Sequence, residues 1–438
     1  MAGTCQAHET ITAELTPRIR ASIWQSIVET YATRILLIAI GLATTVVVSR
    51  TLGPSGRGLF AVAAAIGAIG IQFGNFGLHA SNTYYVAKNR ELLPVLIGNT
   101  LIVSLGIGGI AALLGCCLAA MWPKLAPLHG TLLLLALASI PFGLAYLLLQ
   151  NLLLGIEQVR VYNGVELANK ALALILVGLV ILSRRLTAEL MFAATLVALL
   201  ISLLWVLWKL RAALRRLTLS ITVFKQHAGL GIKAYLIAFF GFLVLRIDLV
   251  MVKYLLNAQA AGYYSISETM AENILTLPVV VGTILFPRLS AMAHKEEKLQ
   301  LTKKIVFVTA ALLLPVIVLA SLLAKPVVQL VFGKSFLPAV TPFVWLMPGS
   351  FLLGIEIVIV QYLNSLGFPK IIAYFWLLAT AFNVGLNFWA IPTYGITGAA
   401  MVSTVSYALI FVLVLASVYS SSRAKPAVSG EVVQYGSQ

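Results

Sequence analysis

The sequence predicts an all-α polytopic membrane protein with about 12 transmembrane helices in two six-helix lobes. Its 438 residues are 61% hydrophobic and only 10% charged, with a mean hydropathy of +1.00. A soluble domain carries about 25% charged residues, so this composition excludes a soluble protein. Apolar stretches of about 20 residues, the length that crosses a bilayer, recur along the whole chain. A motif that repeats at a constant offset indicates that the second half copies the architecture of the first.

Each predicted span is an apolar stretch that ends at a turn or a group of charges. The sequence LGPSGRG follows the first span, WPKLAP follows the third, and SRR follows the fifth. The 12 spans lie near 23–49, 58–79, 95–121, 130–154, 165–183, 189–208, 234–256, 260–285, 304–323, 341–365, 369–391 and 397–419.

These spans divide the chain into five predicted segments. They are a cytoplasmic N-terminal lead (1–22), an N-terminal lobe (23–208), a basic cytoplasmic linker (209–233), a C-terminal lobe (234–419) and a cytoplasmic tail (420–438). The lead lacks the apolar core and cleavage site of a signal peptide.

The distribution of basic residues predicts the orientation. Of the 30 Lys and Arg residues, 19 fall in the termini and the even-numbered loops, 7 in the odd-numbered loops and 4 within spans. Because cytoplasmic loops are enriched in Lys and Arg, both termini are predicted to be cytoplasmic. Most of the net charge of +16 then reflects topology and lipid attraction, and it does not indicate a nucleic-acid surface.

An internal repeat relates the two lobes. LGPSGRGLFAV, which begins at Leu52, matches LNAQAAGYYSI, which begins at Leu256, and this offset places Gly58 over Gly262 and Phe60 over Tyr264. Six spans per lobe is an even number. The two lobes should therefore have the same orientation, as in a parallel repeat about an axis along the membrane normal.

Charged residues in apolar spans are the first candidates for function, since a charge at a helix centre is unfavourable by about 2.5 to 3.5 kcal/mol on insertion scales. The seventh span contains Arg246 and Asp248, the only aspartate in the chain, and the first span contains Glu29 and Arg34. On a continuous helix Arg246 and Asp248 would point about 200° apart. A basic residue in the leading span of each lobe predicts a cationic cavity for an anionic head group, although pairing with an acid that only fixes packing is the alternative.

Acidic residues in the eighth and tenth spans are candidates for ion coupling, together with Asp248. Glu268 and Glu272 are four residues apart and share a helix face, which suits proton coupling, or they neutralise Arg246 and Lys253 on the neighbouring helix. Glu356 is a lone acid that follows a kink predicted at Pro348 and Gly349. It is a candidate for proton or cation coupling.

Lys170 is a further candidate phosphate contact. It follows Glu166 by four residues, which is the favourable order for an ion pair within a helix. Paired span amides, such as Asn383 with Asn387, mostly form hydrogen bonds between helices, and a minority can face sugar hydroxyls.

Catalysis and resident cofactors are not predicted. The five histidines show no metal-ligand spacing with another ligand, and no phosphate-binding glycine loop of the P-loop type occurs. The exterior loops are short and carry no acid–base cluster. We therefore predict no catalytic residue, no metal site and no enzymatic activity.

Several segments together resemble the oligosaccharide flippase family of the multidrug, oligosaccharidyl-lipid and polysaccharide (MOP) exporter superfamily. They are SRTLGPSGRGLFAVAAAIG, FGNFGLHASNTYYVAKN, LRIDLVMVKYLLNAQAAGYYSISETM, NSLGFPKIIAY and IPTYGITGAAMVSTVSY, and they span nearly the whole chain.

The resemblance implies a bilobed transporter in a bacterial inner membrane that moves polyprenyl-pyrophosphate-linked sugar repeat units for cell-surface polysaccharide synthesis. A cationic central cavity would hold the pyrophosphate and the sugars, and Arg34 and Arg246 match its buried basic positions by placement. Coupling to a proton or sodium gradient is proposed for such proteins. The implied partners are the lipid-linked oligosaccharide, the bilayer and other polysaccharide-assembly membrane proteins.

Three alternatives stay open from the sequence. A drug or cation antiporter of the same superfamily would favour acidic, aromatic binding sites over arginines. A membrane polysaccharide polymerase or ligase would be expected to show a large exterior loop with clustered polar residues. A scaffold that only recruits other assembly proteins would tolerate charge reversals in its spans without a transport defect.

The topology can be tested with a reporter fused after Gln438. We expect it to be active in the cytoplasm, because the basic residues predict that the chain ends on that side. The measurement is a paired alkaline phosphatase and fluorescent-protein fusion, and a signal from the outer side would overturn the predicted topology.

Overall fold

The fold is almost wholly helical in the part of the chain that the structure describes, residues 17–367 and 369–423 of a computed structural model. Compact packing divides it into unit 1, which ends at Ile232, and unit 2, which begins at Lys233.

Unit 1 contains α1 to α8 and the start of α9. The helices are α1 (Pro17–Asn75), α2 (Leu78–Lys88), α3 (Leu93–Ile102), α4 (Gly108–Met121), α5 (Gly130–Gly155), α6 (Val159–Leu182), α7 (Ala188–Lys209) and α8 (Arg211–Leu214), with a π-helical turn over Val103–Ile107 between α3 and α4. Leu96, Leu149, Leu153, Val165 and Val206 form the centre of a buried core in which α3, α5, α6 and α7 meet.

Unit 2 contains the rest of α9 and the helices that follow it. They are α9 (Ile221–Val244), α10 (Ile247–Leu255), α11 (Ala258–Ala291), α12 (Lys295–Val331), α13 (Val340–Asn364) and α14 (Ile371–Arg423). One of its cores gathers Leu285, Leu353, Tyr362, Trp376 and Ile410 from α11, α13 and α14.

The described residues account for the 12 predicted spans. Ten helical segments are long and apolar enough to cross a membrane. Two of them, Ala32–Asn75 and Ile371–Ser421, are each long enough for two spans and contain a residue with non-helical backbone angles, Gly53 and Gly395. The chain is therefore a multi-pass membrane protein, and the predicted fold class is confirmed.

Several predicted boundaries were wrong because polar sequence proved to be helical. The stretch 209–233, predicted as a loop, holds α8 and the first half of α9, and the predicted loop from Arg288 to Lys304 is reduced to three residues between α11 and α12. The second span ends at Asn75, because Phe76 and Gly77 have positive φ and interrupt the helix. Lys, Glu and Arg are good helix formers, so α9, α11 and α12 extend into polar sequence beyond the predicted apolar spans.

Any side chain introduced at position 53 should destabilise the turn at Gly53. Its φ of 66° and ψ of −175° belong to a region that only glycine adopts freely, at a cost of about 1–3 kcal/mol for other residues. We expect Gly53→Ala to lower thermal stability in detergent. Gly41→Ala is the control: Gly41 lies inside α1 with nothing within 4 Å of an added Cβ, so this change should be neutral or stabilising by about 0.5–1 kcal/mol. Equal effects of the two variants would contradict a strained turn.

Candidate functional site

The seventh span is broken at Arg246, and this break sets the geometry of unit 2. Helix α9 ends at Val244 and α10 begins at Ile247, while Arg246 has φ −134° and ψ −24° and precedes α10 as its N-cap residue. The sequence predicted one continuous helix over 234–256, on which Arg246 and Asp248 would point to different sides. That prediction was wrong, since neither Gly nor Pro marks the break and the apolar pattern runs through it.

Arg246 forms an ion pair with the acid of the eighth span. Its Nη2 donates to Oε2 of Glu272 at 2.8 Å, and its guanidinium lies 5.9 Å from the ring centre of Phe242. About a third of each charged side chain is exposed. Of the two sequence interpretations of Glu272, the structure shows the one in which it neutralises Arg246.

Asp248 is the most enclosed acid of the break and lies in the first turn of α10, with 1% exposure. Its Oδ2 accepts hydrogen bonds from the Tyr264 hydroxyl at 2.6 Å and the Ser403 hydroxyl at 2.8 Å, and its Oδ1 accepts one from the Leu249 amide at 2.8 Å. These donors come from α10, α11 and α14. A carboxylate beside a helix N-terminus also gains from the helix dipole.

Glu268 lies next to this carboxylate on α11, one turn after Tyr264. It is 7% exposed, and its Oε1 has no hydrogen-bond partner among the described residues. Glu268 and Glu272 also line a small pocket of about 20 Å³ beside Tyr407. That volume is about enough for one water molecule.

Glu356 stands apart from that network in its contacts. It is 1% exposed on α13, and its Oε1 has no hydrogen-bond partner among the described residues. Together with Glu272 it lines a cavity of about 490 Å³, which we call the unit-2 cavity. Arg246, Asp248, Glu268 and Glu272 are thus brought into one network, and Glu272 joins that network to the cavity of Glu356.

Arg34 of unit 1 is paired with an acid of another helix, which was one of the alternatives from the sequence, whereas the pairing of Glu166 was not predicted. Arg34 donates to Glu166 at 3.1 Å, and Arg160 makes a two-pronged contact with Glu29 at 2.9 and 3.0 Å. The expected pair of Glu166 with Lys170 does not occur among the described residues, because Glu166 is directed to Arg34 on the first span. Arg34 is half exposed and is absent from the residues that line the cavity of unit 1.

Unit 1 contains a partly open cavity that is lined by Lys170. Its volume is about 410 Å³, and Lys170 shares its wall with a second cation, Arg57, which is 7% exposed and lies 5.8 Å from the ring centre of Phe60. We call it the unit-1 cavity. Polar and aromatic residues contribute to its wall, namely Thr44, Thr45, Ser139, Asn169, Thr195, Phe60 and Phe192, and small or aliphatic side chains form the rest.

Arg57 was missed by the sequence reasoning. It was counted as a loop residue after the first span, whereas the helix resumes directly after Gly53 and places Arg57 and Phe60 on adjacent turns of one face. The internal repeat indicated that Arg57 is helical. Gly58, the next residue, aligns with Gly262, which lies inside α11 and beyond the turn that precedes this helix.

Comparison with known proteins identifies the family. The family model described as "Polysaccharide biosynthesis protein" matches residues 47–341, which is more than half of the chain. The chain belongs to the polysaccharide biosynthesis protein family. The expectation from the sequence that this chain belongs to a polysaccharide-synthesis family is thereby confirmed.

Two curated relatives of this family member are archaeal. An uncharacterized membrane protein of Methanocaldococcus jannaschii is 25% identical over 182 residues, which are 40% of this chain and 36% of that protein. The probable low-salt glycan biosynthesis flippase Agl15 of Haloferax volcanii is 24% identical over 242 residues, which are 54% of this chain and 50% of that protein. The matches thus span no more than half the length of either relative.

Solved structures share the fold of this family member. An inward-facing multidrug resistance MATE family transporter of the MOP superfamily aligns with a TM-score of 0.73 at 14% identity, covering 91% of this chain and 99% of that one. The lipid II flippase MurJ aligns with a TM-score of 0.66 at 16% identity, covering 90% and 87%. At such low identity the likeness shows the fold alone.

The hydrogen bond from Tyr264 to Asp248 should contribute measurably to stability. Tyr264→Phe removes a donor to a buried carboxylate, and we expect the free energy of unfolding in detergent to fall by about 1–2 kcal/mol. Tyr362→Phe is a matched control, because Tyr362 is also fully buried in unit 2 but its hydroxyl has no partner among the described residues. That change should be neutral or stabilising, and equal losses in both variants would contradict a special role of Asp248.

Proposed function

We propose that this protein is a flippase that moves polyprenyl-pyrophosphate-linked oligosaccharide repeat units across the inner membrane of a bacterial cell for surface polysaccharide synthesis. The observation that carries the proposal is the unit-1 cavity, in which Arg57 and Lys170 line one space inside a membrane-spanning bundle. Family membership supports the same role.

The charge of this cavity suits a phosphate head group. A cation within a membrane span is unfavourable by about 2.5 to 3.5 kcal/mol, and an anionic ligand beside Lys170 would offset that cost. A pyrophosphate carries several negative oxygens, and Arg and Lys bind phosphate through charge-assisted hydrogen bonds. Lys170 forms no ion pair among the described residues, and more than a third of it is exposed, so its ammonium group is available for such a contact.

The remaining wall suits the sugars that follow the pyrophosphate. Thr44, Thr45 and Asn169 offer hydroxyl and amide groups that can exchange hydrogen bonds with sugar hydroxyls. A volume of about 410 Å³ lies within the range of roughly 300–1,000 Å³ that small-ligand sites occupy. We infer that the cavity holds the pyrophosphate and the nearest sugars, while the lipid tail stays in the bilayer.

The acidic network of unit 2 supports an energy-coupling role. Arg246 is held by Glu272, and a proton or sodium ion bound at Glu272 would weaken that ion pair and free the guanidinium for an anionic head group. Asp248, Glu268 and Glu356 are the other candidate carriers of the coupling ion. Transport would then proceed by alternating access, with Glu272 and the head group competing for Arg246 and ion binding at Glu272 favouring the head group.

The test is the distribution of lipid-linked sugar intermediates between the two leaflets of a strain that lacks this chain. We expect intact repeat units to accumulate on the cytoplasmic side and the wild-type protein to relieve the accumulation. Lys170→Gln should lower the export rate about tenfold or more at equal membrane abundance, which is the expected loss of one charge-assisted phosphate contact.

Two controls make the experiment specific. Lys170→Arg keeps the charge and should retain most of the export. Lys253→Gln removes a span lysine of unit 2 that is not among the residues lining either large cavity, and it should export normally. If repeat units reach the outer leaflet without this chain but stay unpolymerised, the protein acts later in the pathway. If Lys170→Gln exports normally, Lys170 and the unit-1 cavity do not bind the substrate during export.

A further inference from the structure

The unit-2 cavity differs in chemistry from the unit-1 cavity. Its volume is about 490 Å³, and most of its wall is apolar side chains from α9, α11, α13 and α14, including Ile237, Leu275 and Val360. A space of this size with such a wall is typical of a site for a small apolar or amphiphilic ligand.

One carboxyl group in that wall lacks a partner. Glu356 is 1% exposed, and its Oε1 receives no hydrogen bond from the described residues. Buried polar atoms are nearly always satisfied, because an unsatisfied one costs roughly 1–3 kcal/mol and an unpaired charge costs more. The Oε1 atom of Glu356 therefore lacks a donor among the described residues, and a bound ligand could supply one.

The charged residues of the wall determine which ligand charge the cavity favours. The lining residues include two acids, Glu272 and Glu356, and no Lys, Arg or His. Arg246, which lies outside the lining, neutralises Glu272 through the contact at 2.8 Å. One acid is left without a basic counterpart, so the cavity favours a single positive charge.

Two aromatic side chains shape the space available to the body of a ligand. Phe242 and Trp376 both line the cavity, and a Cβ added at Gly241 would lie 3.7 Å from the indole ring of Trp376. The backbone of α9 thus packs closely on the indole, and a larger side chain at position 241 would press against it. Aromatic rings attract cations through their faces and pack against apolar groups.

We propose that the unit-2 cavity binds a lipophilic protonated amine, with its ammonium N–H donating to Glu356 and its apolar body packed against Phe242 and Trp376. A proton alone would satisfy the carboxyl group but leave the apolar volume unfilled. An uncharged apolar molecule would fill the volume but leave the acid unpaired. This binding goes beyond glycolipid transport, because the ligand has the opposite charge and uses the other unit.

An ammonium group with an N–H donor and an apolar body can come from two sources in a membrane. One is a free amphiphilic amine that enters from solution, and the other is the ethanolamine head group of a phospholipid, which also carries N–H donors. Phosphatidylcholine carries a quaternary ammonium without an N–H and cannot donate to Glu356. The lipid composition of the assay therefore separates the two sources.

The test compares two probes that differ in one N–H. The purified full chain in phosphatidylcholine nanodiscs is titrated with dodecyldimethylamine, protonated at neutral pH, and with dodecyltrimethylammonium, which has the same tail and charge, while tryptophan fluorescence is followed. We expect the protonated amine to bind at least about tenfold more tightly, as one hydrogen bond to a charged carboxylate contributes. Equal affinities would overturn the proposal.

Three variants locate the site. Glu356→Gln should remove the preference between the probes and weaken binding of the protonated amine about tenfold or more, whereas Glu189→Gln, the same change in unit 1, should leave both titrations as in the wild type. Gly241→Val narrows the cavity without changing charge and should weaken both probes. Unchanged binding in either Glu356→Gln or Gly241→Val would overturn the proposal, and the second variant keeps the test valid if the first fails to fold.

A final comparison identifies the source. Adding phosphatidylethanolamine to the nanodiscs should lower the apparent affinity for the protonated amine if a lipid head group occupies the site, and leave it unchanged if a free amine does. Neither result depends on glycolipid export. The amine-binding proposal can therefore fail while the flippase function stands, and the flippase function can fail while amine binding stands.

Discussion

The buried carboxylate of Asp248 is the constraint on which unit 2 depends. Its three hydrogen-bond donors come from α10, α11 and α14, so a single acid connects three helices that are distant in sequence. Leaving such a group without its donors would cost several kcal/mol in a low-dielectric interior. The helices therefore have to meet at this point. This contact also fixes the positions of Glu268 and Glu272, since they lie about one and two turns after Tyr264 on α11.

The cavities of the two units are lined by charged residues of opposite sign. The unit-1 cavity is lined by Arg57 and Lys170, while the unit-2 cavity is lined by Glu272 and Glu356. Arg246 is the exception, because it is a cation placed among acids and its charge is already shared with Glu272. A residue in this position responds both to anions and to whatever neutralises its partner, which is the property that an ion-driven carrier of an anion requires.

The fold was largely predictable, since hydropathy and span length depend on local composition and the bilayer thickness. The contact between Glu272 and Arg246 was among the predicted alternatives, because opposite charges in an apolar medium seek each other. The break at Arg246 was not predictable, since it is fixed by the partners of Arg246 and Asp248 and by no Gly or Pro. The pair of Arg34 with Glu166 and the burial of Arg57 likewise depend on contacts across more than 100 residues or on a turn whose exact length the pattern does not reveal.

The break between α9 and α10 also has an electrical consequence. The first amides of α10 lie outside the helical hydrogen-bond ladder, and a lipid core offers them no partner, so protein groups or water must replace it. A charge that moves across the full transmembrane field gains about 2.3 kcal/mol per 100 mV. Because Arg246 and Asp248 lie within a membrane span, the transmembrane voltage acts on their side chains directly.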